Sequence, residues 1–130
     1  SAATGGTSAA AHITVPYMLE TSATSIVVLV DAVRPNNAEF SMWYRTKQKS
    51  DEETLLEDQK WYEFSKTAKQ TKGKNYFELP QTDDYGKFSE YTFSVFNLNA
   101  FDQYQIKITM HTTRQTHPPV FRNLRTIATS

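Results

Sequence analysis

The segment that most limits what this chain can fold into is QYQIKITMH, residues 103–111, where polar and apolar side chains alternate at every position. In a β-strand, successive side chains point to opposite faces of the sheet. The predicted inner face of this strand consists of Tyr104, Ile106, Ile108 and Met110. Gln105, Lys107 and Thr109 share the other face, so the segment predicts a strand with one packed and one wet side.

The same period of two recurs in other parts of the sequence. Residues 89–98 place Tyr91 and Phe93 on one face, and residues 39–46 do the same with Phe40 and Met42. Residues 25–33 have apolar side chains on both faces of the predicted strand, which indicates a central strand of a sheet. Residues 51–61, DEETLLEDQKW, allow only a turn or two of amphipathic helix.

We therefore predict an all-β fold, an antiparallel two-sheet β-sandwich of about seven or eight strands, immunoglobulin/fibronectin-like or jelly-roll-like. The expected strands are residues 12–19, 25–33, 39–46, 60–64, 76–79, 89–98, 102–111 and 120–128. A parallel sheet would need crossover helices that the sequence does not supply.

The 130 residues are most simply one domain. Residues 1–11, SAATGGTSAAA, are small and uncharged, which predicts a flexible arm or linker before a β-sandwich domain at 12–130. Residues 65–75 hold four lysines and one glycine, which is typical of a mobile loop or an exposed bent strand.

Charge and composition exclude several classes of protein. The 14 basic and 14 acidic residues cancel, and nucleic-acid-binding domains normally show a basic excess. The longest apolar run, residues 26–30, is far shorter than the roughly 20 residues of a membrane-spanning helix. Cysteine is absent, so disulfides and thiolate chemistry are excluded. We expect no nucleic acid, no membrane insertion and no cofactor.

A possible catalytic pair lies in DAVRPNNAE, residues 31–39, where Asp31 and Arg34 follow an apolar strand. Pro35 fixes φ as a type I turn requires, and the asparagines after it tolerate turn geometry. The segment is therefore interpreted as a strand–turn–strand corner with a charged rim.

Other chemical groups form no recognisable motif. His12, His111 and His117 lack the spacing of a zinc site and are interpreted as exposed strand-end histidines. The acidic pair Asp83 and Asp84 lies in a predicted turn and has too few oxygen ligands for calcium. No carboxylate pair or nucleophile motif stands out. The sequence predicts no catalytic or metal-binding residues.

Aromatic side chains at a period of two are typical of a core and of cross-strand pairs. Trp43 falls on the face opposite Phe40 and Met42, and the adjacent Trp61 and Tyr62 must point to opposite faces. Trp43, Trp61 and Tyr62 are therefore the candidate contact residues, either for a protein partner or for stacking against a sugar.

Several segments together resemble the C-terminal domain of tail and baseplate structural proteins of contractile-tailed bacteriophages (myoviruses). They are DAVRPNNAEFSMWYRT, FSEYTFSV, FDQYQIKITMHTT and PPVFRNLRTIA, and the resemblance spans roughly residues 12–128. The matching positions are Asp31, Ala32, Arg34, Pro35, Tyr44, Arg45, Phe88, Glu90, Tyr91, Phe93, Phe101, Gln105, Ile106, Lys107, Ile108, Pro119, Leu124, Arg125, Ile127 and Ala128. The sequence departs from the pattern at Tyr104, where Phe is frequent, and in a lysine-rich insertion at 66–74.

The resemblance implies a non-enzymatic virion structural domain, made in the host cytoplasm, that acts by protein–protein contact with other tail or baseplate proteins and within a homo-oligomer. Asp31, Arg34, Lys107 and Arg125 would then be rim residues whose pairs fix the order of the strands. The alternative is a carbohydrate- or receptor-binding module of a tail fibre, with a host glycan on the three candidate aromatic residues. A hydrolase is a third, less supported interpretation.

Overall fold

The computed structural model describes residues 8–69, 73–114 and 116–130. The strands are β1 (Ser8–Ile13), β2 (Tyr17–Ala23), β3 (Ser25–Val33), β4 (Ala38–Gln48), β5 (Tyr62–Glu63), β6 (Ser89–Val95), β7 (Phe101–Thr112) and β8 (Val120–Thr129). The five-stranded sheet has the order β1-β7-β4-β5, with β2 also paired to β7, and the three-stranded sheet has the order β6-β3-β8. Every pairing is antiparallel, so the predicted all-β sandwich is confirmed.

The core lies between the inner faces of the two sheets and follows the alternation in the sequence. Phe40 is central, because its ring packs edge-on against Tyr91 and Phe121 at centroid distances of 4.9 Å each. β3 is the middle strand of its sheet, as its two apolar faces predict. The fully buried large side chains include Phe40, Met42, Tyr76, Tyr91, Phe93, Phe101 and Ile106.

The single strand predicted at 12–19 is wrong, because the chain forms two strands there. β1 begins at Ser8, so residues 8–11 belong to the sheet rather than to the predicted arm, and residues 1–7 lie outside the described residues. Thr14 stays bound to β7 through its backbone N–H, which donates to the Ile106 carbonyl at 3.0 Å. Pro16 cannot donate to a ladder, and pairing resumes only at Tyr17.

The strand predicted at 76–79 is also wrong, since Tyr76–Glu78 form a 3-10 turn. Asn75 caps this turn: its side-chain oxygen accepts from the Glu78 N–H at 3.1 Å, and the Glu78 carboxylate accepts from the Asn75 N–H at 3.0 Å. This reciprocal pair is a capping box. A second 3-10 turn, Leu56–Asp58, is the only helical turn within the stretch predicted to hold one or two.

The corner predicted at residues 34–37 joins β3 of one sheet to β4 of the other. The Ala38 N–H donates to the Pro35 carbonyl at 3.1 Å, which closes the turn. Asn37 takes a positive φ of 64°, a conformation that asparagine tolerates better than most residues. The segment is a corner between sheets.

Candidate interaction surfaces

Two of the three candidate aromatic residues meet on the outer face of the five-stranded sheet. Trp43 of β4 lies opposite Lys107 of β7 in the strand register. The Lys107 ammonium is 5.1 Å from the Trp43 ring centroid and 4.6 Å from that of Trp61. One cation therefore bridges both indoles, and the guanidinium of Arg45 lies 4.3 Å from the Trp61 ring.

This cluster is built mainly from contacts within the chain. The Trp43 indole N–H donates to the Thr109 hydroxyl at 2.9 Å, and Arg45 Nε donates to the Gln105 side-chain oxygen at 2.9 Å. Both tryptophans are half-buried. Lys107 therefore packs against aromatic rings, and the described residues contain no carboxylate paired with it.

Tyr62 lies apart from the two tryptophans and is 50% exposed. It stacks with Tyr44 at a centroid distance of 5.8 Å and an interplanar angle of 27°. The two rings form one wall of an open cleft of about 420 Å³, which we call the tyrosine cleft. Its other lining residues are Thr46, Gln48, Asp51, Gln59, Lys60, Leu98 and Asn99.

Asp31 and Arg125 belong to an exposed ion network on the outer face of the three-stranded sheet. Arg125 Nη1 is 3.7 Å from the Asp31 carboxylate, and Nη2 contacts the Glu90 carboxylate. Asn123 also donates to Asp31 at 2.9 Å. Because these residues come from β3, β6 and β8, the network crosses all three strands of the sheet.

Arg34 is not a rim residue, because its side chain is only 3% exposed. Its Nη2 donates to the carbonyl oxygens of Tyr76 and Leu79, both at 2.9 Å, and its Nε donates to the Tyr91 hydroxyl at 3.1 Å. Nη1 pairs with Glu39 at 3.3 Å. Arg34 thus joins the corner between the sheets to the capped turn at 76–78. Nothing local in the sequence signals this contact, since the partners are more than 40 residues away.

A second opening lies between the sheets along one side of the sandwich. β1 and β8 are the outermost strands of their sheets there, and in the described part of the chain their outer edges pair with no further strand. Between them is a groove of about 350 Å³, which we call the edge groove. It is lined by His12, Ile108, Met110, Phe121, Arg122, Asn123 and Leu124.

The remaining polar candidates are dispersed. Within the described residues no three His, Asp or Glu side chains come close enough to hold a metal ion. Asp83 instead pairs with Arg114 at 3.0 Å, and this hydrogen bond lowers the pKa of the Asp83 carboxyl. The same described part contains no helix with the length and hydropathy needed to cross a bilayer.

Comparisons of the chain with protein-family models, with curated proteins and with solved structures found no match.

Proposed function

We propose that this chain is a non-enzymatic structural domain of a bacteriophage tail or baseplate, located in the virion, that acts through protein–protein contacts. The resemblance of residues 12–128 to tail and baseplate domains supports the virion context. The edge groove is the structural feature that we assign to this contact. Its partner is an extended segment of a neighbouring tail or baseplate protein, or of another copy of the chain.

The groove exposes apolar side chains that a lone sandwich would be expected to cover. Met110, Phe121 and Leu124 all pack against the core cluster, yet they also line the opening. His12, Arg122 and Asn123 form the polar part of its lining. Contiguous exposed apolar surface rimmed by polar residues is typical of a protein contact site.

The edges of the groove add a second mode of recognition. An outermost strand presents unpaired backbone N–H and C=O groups that can hydrogen-bond an incoming strand. Six residues of β1 and ten of β8 offer such edges on either side of the groove. A partner strand could bond to one edge and place alternate side chains against Met110 and Leu124.

The proposal is tested by placing a charge in the groove of the intact virion protein. Leu124→Asp is expected to block tail completion, because an aspartate facing the partner's apolar side chains would lose its hydration. His12→Glu changes an exposed groove residue and should weaken assembly without disturbing the fold. Negative-stain microscopy of lysates would count complete tails.

Ile127→Asp is the matched control, because it adds the same charge to the same strand at a position 58% exposed on the outer face. Circular dichroism of each purified variant separates loss of contact from loss of fold. If folded Leu124→Asp and His12→Glu chains give as many complete tails as Ile127→Asp, the groove is not the assembly contact.

A further inference from the structure

The tyrosine cleft has features that the proposed assembly role does not use. It combines an aromatic wall, the half-exposed Tyr62 stacked on the buried Tyr44, with side-chain amides from Gln48, Gln59 and Asn99, and the Lys60 ammonium lies 5.4 Å from the Tyr62 ring centroid. Its volume of about 420 Å³ falls in the range of small-molecule sites, roughly 300–1,000 Å³.

Several polar groups that line the cleft have no protein partner within the described residues. Within the described residues, the amides of Gln48 and Asn99 form no hydrogen bond, nor do the hydroxyls of Tyr44 and Tyr62, whereas Gln59 Nε2 donates to the Thr54 hydroxyl and the Leu55 carbonyl. Carboxamides carry both donors and acceptors, and each can bond two neighbouring hydroxyl groups. An aromatic ring beside such groups offers an apolar face to the C–H side of a pyranose ring.

The charge around the cleft selects against anionic ligands. The lining contains one acidic residue, Asp51, and one basic residue, Lys60. The segment 47–60 around it carries five carboxylates and three lysines. Asp51 Oδ1 already accepts from the backbone N–H groups of Glu53 and Thr54 at 3.0 and 3.1 Å, so its carboxylate is held by the loop. The segment is therefore net negative, which disfavours the approach of an anionic sugar.

Several residues that line the cleft also belong to strands held by backbone pairing. Tyr44 and Thr46 belong to β4, which pairs with β7 along its length, and Tyr62 belongs to β5, which pairs with β4. The segment opposite is held by the Leu98 N–H, which donates to the Thr24 carbonyl at 2.9 Å. A site built this way needs little ordering when a ligand binds.

We propose that the tyrosine cleft binds a neutral hexopyranose, either free or within an oligosaccharide, with one sugar ring against Tyr62 and its hydroxyls bonded by Gln48 and Asn99. This inference is independent of the edge groove, which lies on the opposite side of β7 from β4 and β5.

The test is saturation-transfer difference NMR of the whole purified chain with maltotriose, cellotriose, galactobiose and N,N′-diacetylchitobiose, and with digalacturonate as the anionic counterpart of galactobiose. The expected result is transfer to ring protons of at least one neutral sugar and none to digalacturonate. Tyr62→Ala should weaken that binding about tenfold, the scale of one lost aromatic contact. Gln48→Ala and Asn99→Ala should weaken it similarly.

Trp61→Ala is the matched control, because it removes the neighbouring aromatic side chain from the other face of the sheet and should leave sugar binding unchanged. Tyr62→Phe should retain the stacking and most of the affinity. Absence of transfer to every neutral sugar by the folded chain would overturn the proposal. Binding that survives both Tyr62→Ala and Gln48→Ala, or binding to digalacturonate alone, would overturn it as well.

Discussion

Trp43 and Arg34 differ in how much of the side chain's environment the sequence predicts. The outward direction of Trp43 follows from alternation alone, and the structure places it on the outer face, where Lys107 lies opposite. The burial of Arg34 depends on the 76–78 turn lying over the corner, a contact 42 residues away along the chain. Local pattern therefore predicts which face a residue takes, but not which distant backbone covers it.

Arg34 is expected to contribute more to stability than any other arginine in the described structure. Arg34→Met would leave the Tyr91 hydroxyl and the carbonyl groups of Tyr76 and Leu79 without their donor. Leaving several buried groups unpaired should lower the free energy of unfolding by about 3 kcal/mol or more. Urea denaturation followed by circular dichroism measures the loss.

The exposed Arg122 provides the comparison for this prediction. Its guanidinium lies 3.7 Å from the Phe88 ring centroid, and Arg122→Met should cost no more than about 1 kcal/mol. Equal losses for the two variants would show that the buried hydrogen bonds of Arg34 do not stabilise the corner.

At the scale of elements, the sequence predicts the long strands well and the short ones poorly. Residues 103–111 and 25–33 have strong periods and form β7 and β3. The break between β1 and β2 has a local signal in Pro16, and the turn at 76–78 has one in Asn75 followed by Glu78, the spacing of a capping box. Residues 8–11 carry no such signal, because their small side chains form a strand only by pairing with β7.

The Tyr76 hydroxyl links the capped turn at 76–78 to β4 by hydrogen bonds. The Tyr76 hydroxyl accepts from the Phe40 N–H at 3.0 Å and donates to the Glu39 carboxylate. Tyr76→Phe should lower the free energy of unfolding by about 1–3 kcal/mol, because it leaves the buried Phe40 N–H unpaired.

Chemical denaturation of the Tyr76→Phe variant measures this effect directly. Tyr62→Phe is the control, since the Tyr62 hydroxyl has no partner in the described residues, and its effect should stay within about 0.5 kcal/mol. A Tyr76→Phe variant as stable as Tyr62→Phe would contradict the assigned role of the phenol.

For the molecule as a whole, the buried tyrosines are expected to lower the stability of the fold at alkaline pH. Burial raises the pKa of Tyr76, Tyr91 and Tyr104 above the ordinary value of 10.0. Above about pH 10 the unfolded chain releases these protons while the folded chain keeps them. Stability should therefore be unaffected by these groups below that pH, and should fall by up to about 1.4 kcal/mol per tyrosine and pH unit above it.

Thermal melts recorded together with phenolate absorbance between about pH 9 and 11.5 test this prediction. The melting temperature should fall over this range, and the buried tyrosines should ionise only as the chain unfolds. Ionisation of all seven tyrosines in a chain that remains folded would contradict it.

Also at this scale, the order of the strands within each sheet could not be predicted, because pairing between distant segments has no local pattern. The edge groove exists only because β1 and β8 are the outermost strands on the same side of the sandwich. The aromatic contact candidates on the sheet face follow from alternation in the sequence, whereas the edge groove that we propose as the assembly contact is created by topology.

Site-specific photo-cross-linking in the assembled virion tests the central proposal most directly. A photo-reactive residue would replace His12, which lines the edge groove, or Ile127, which lies on the outer face of β8. A cross-link is expected from position 12 to another tail or baseplate protein, or to a second copy of the chain, and none is expected from position 127. Complete particles that give no cross-link from position 12, or give one from position 127 alone, would contradict it.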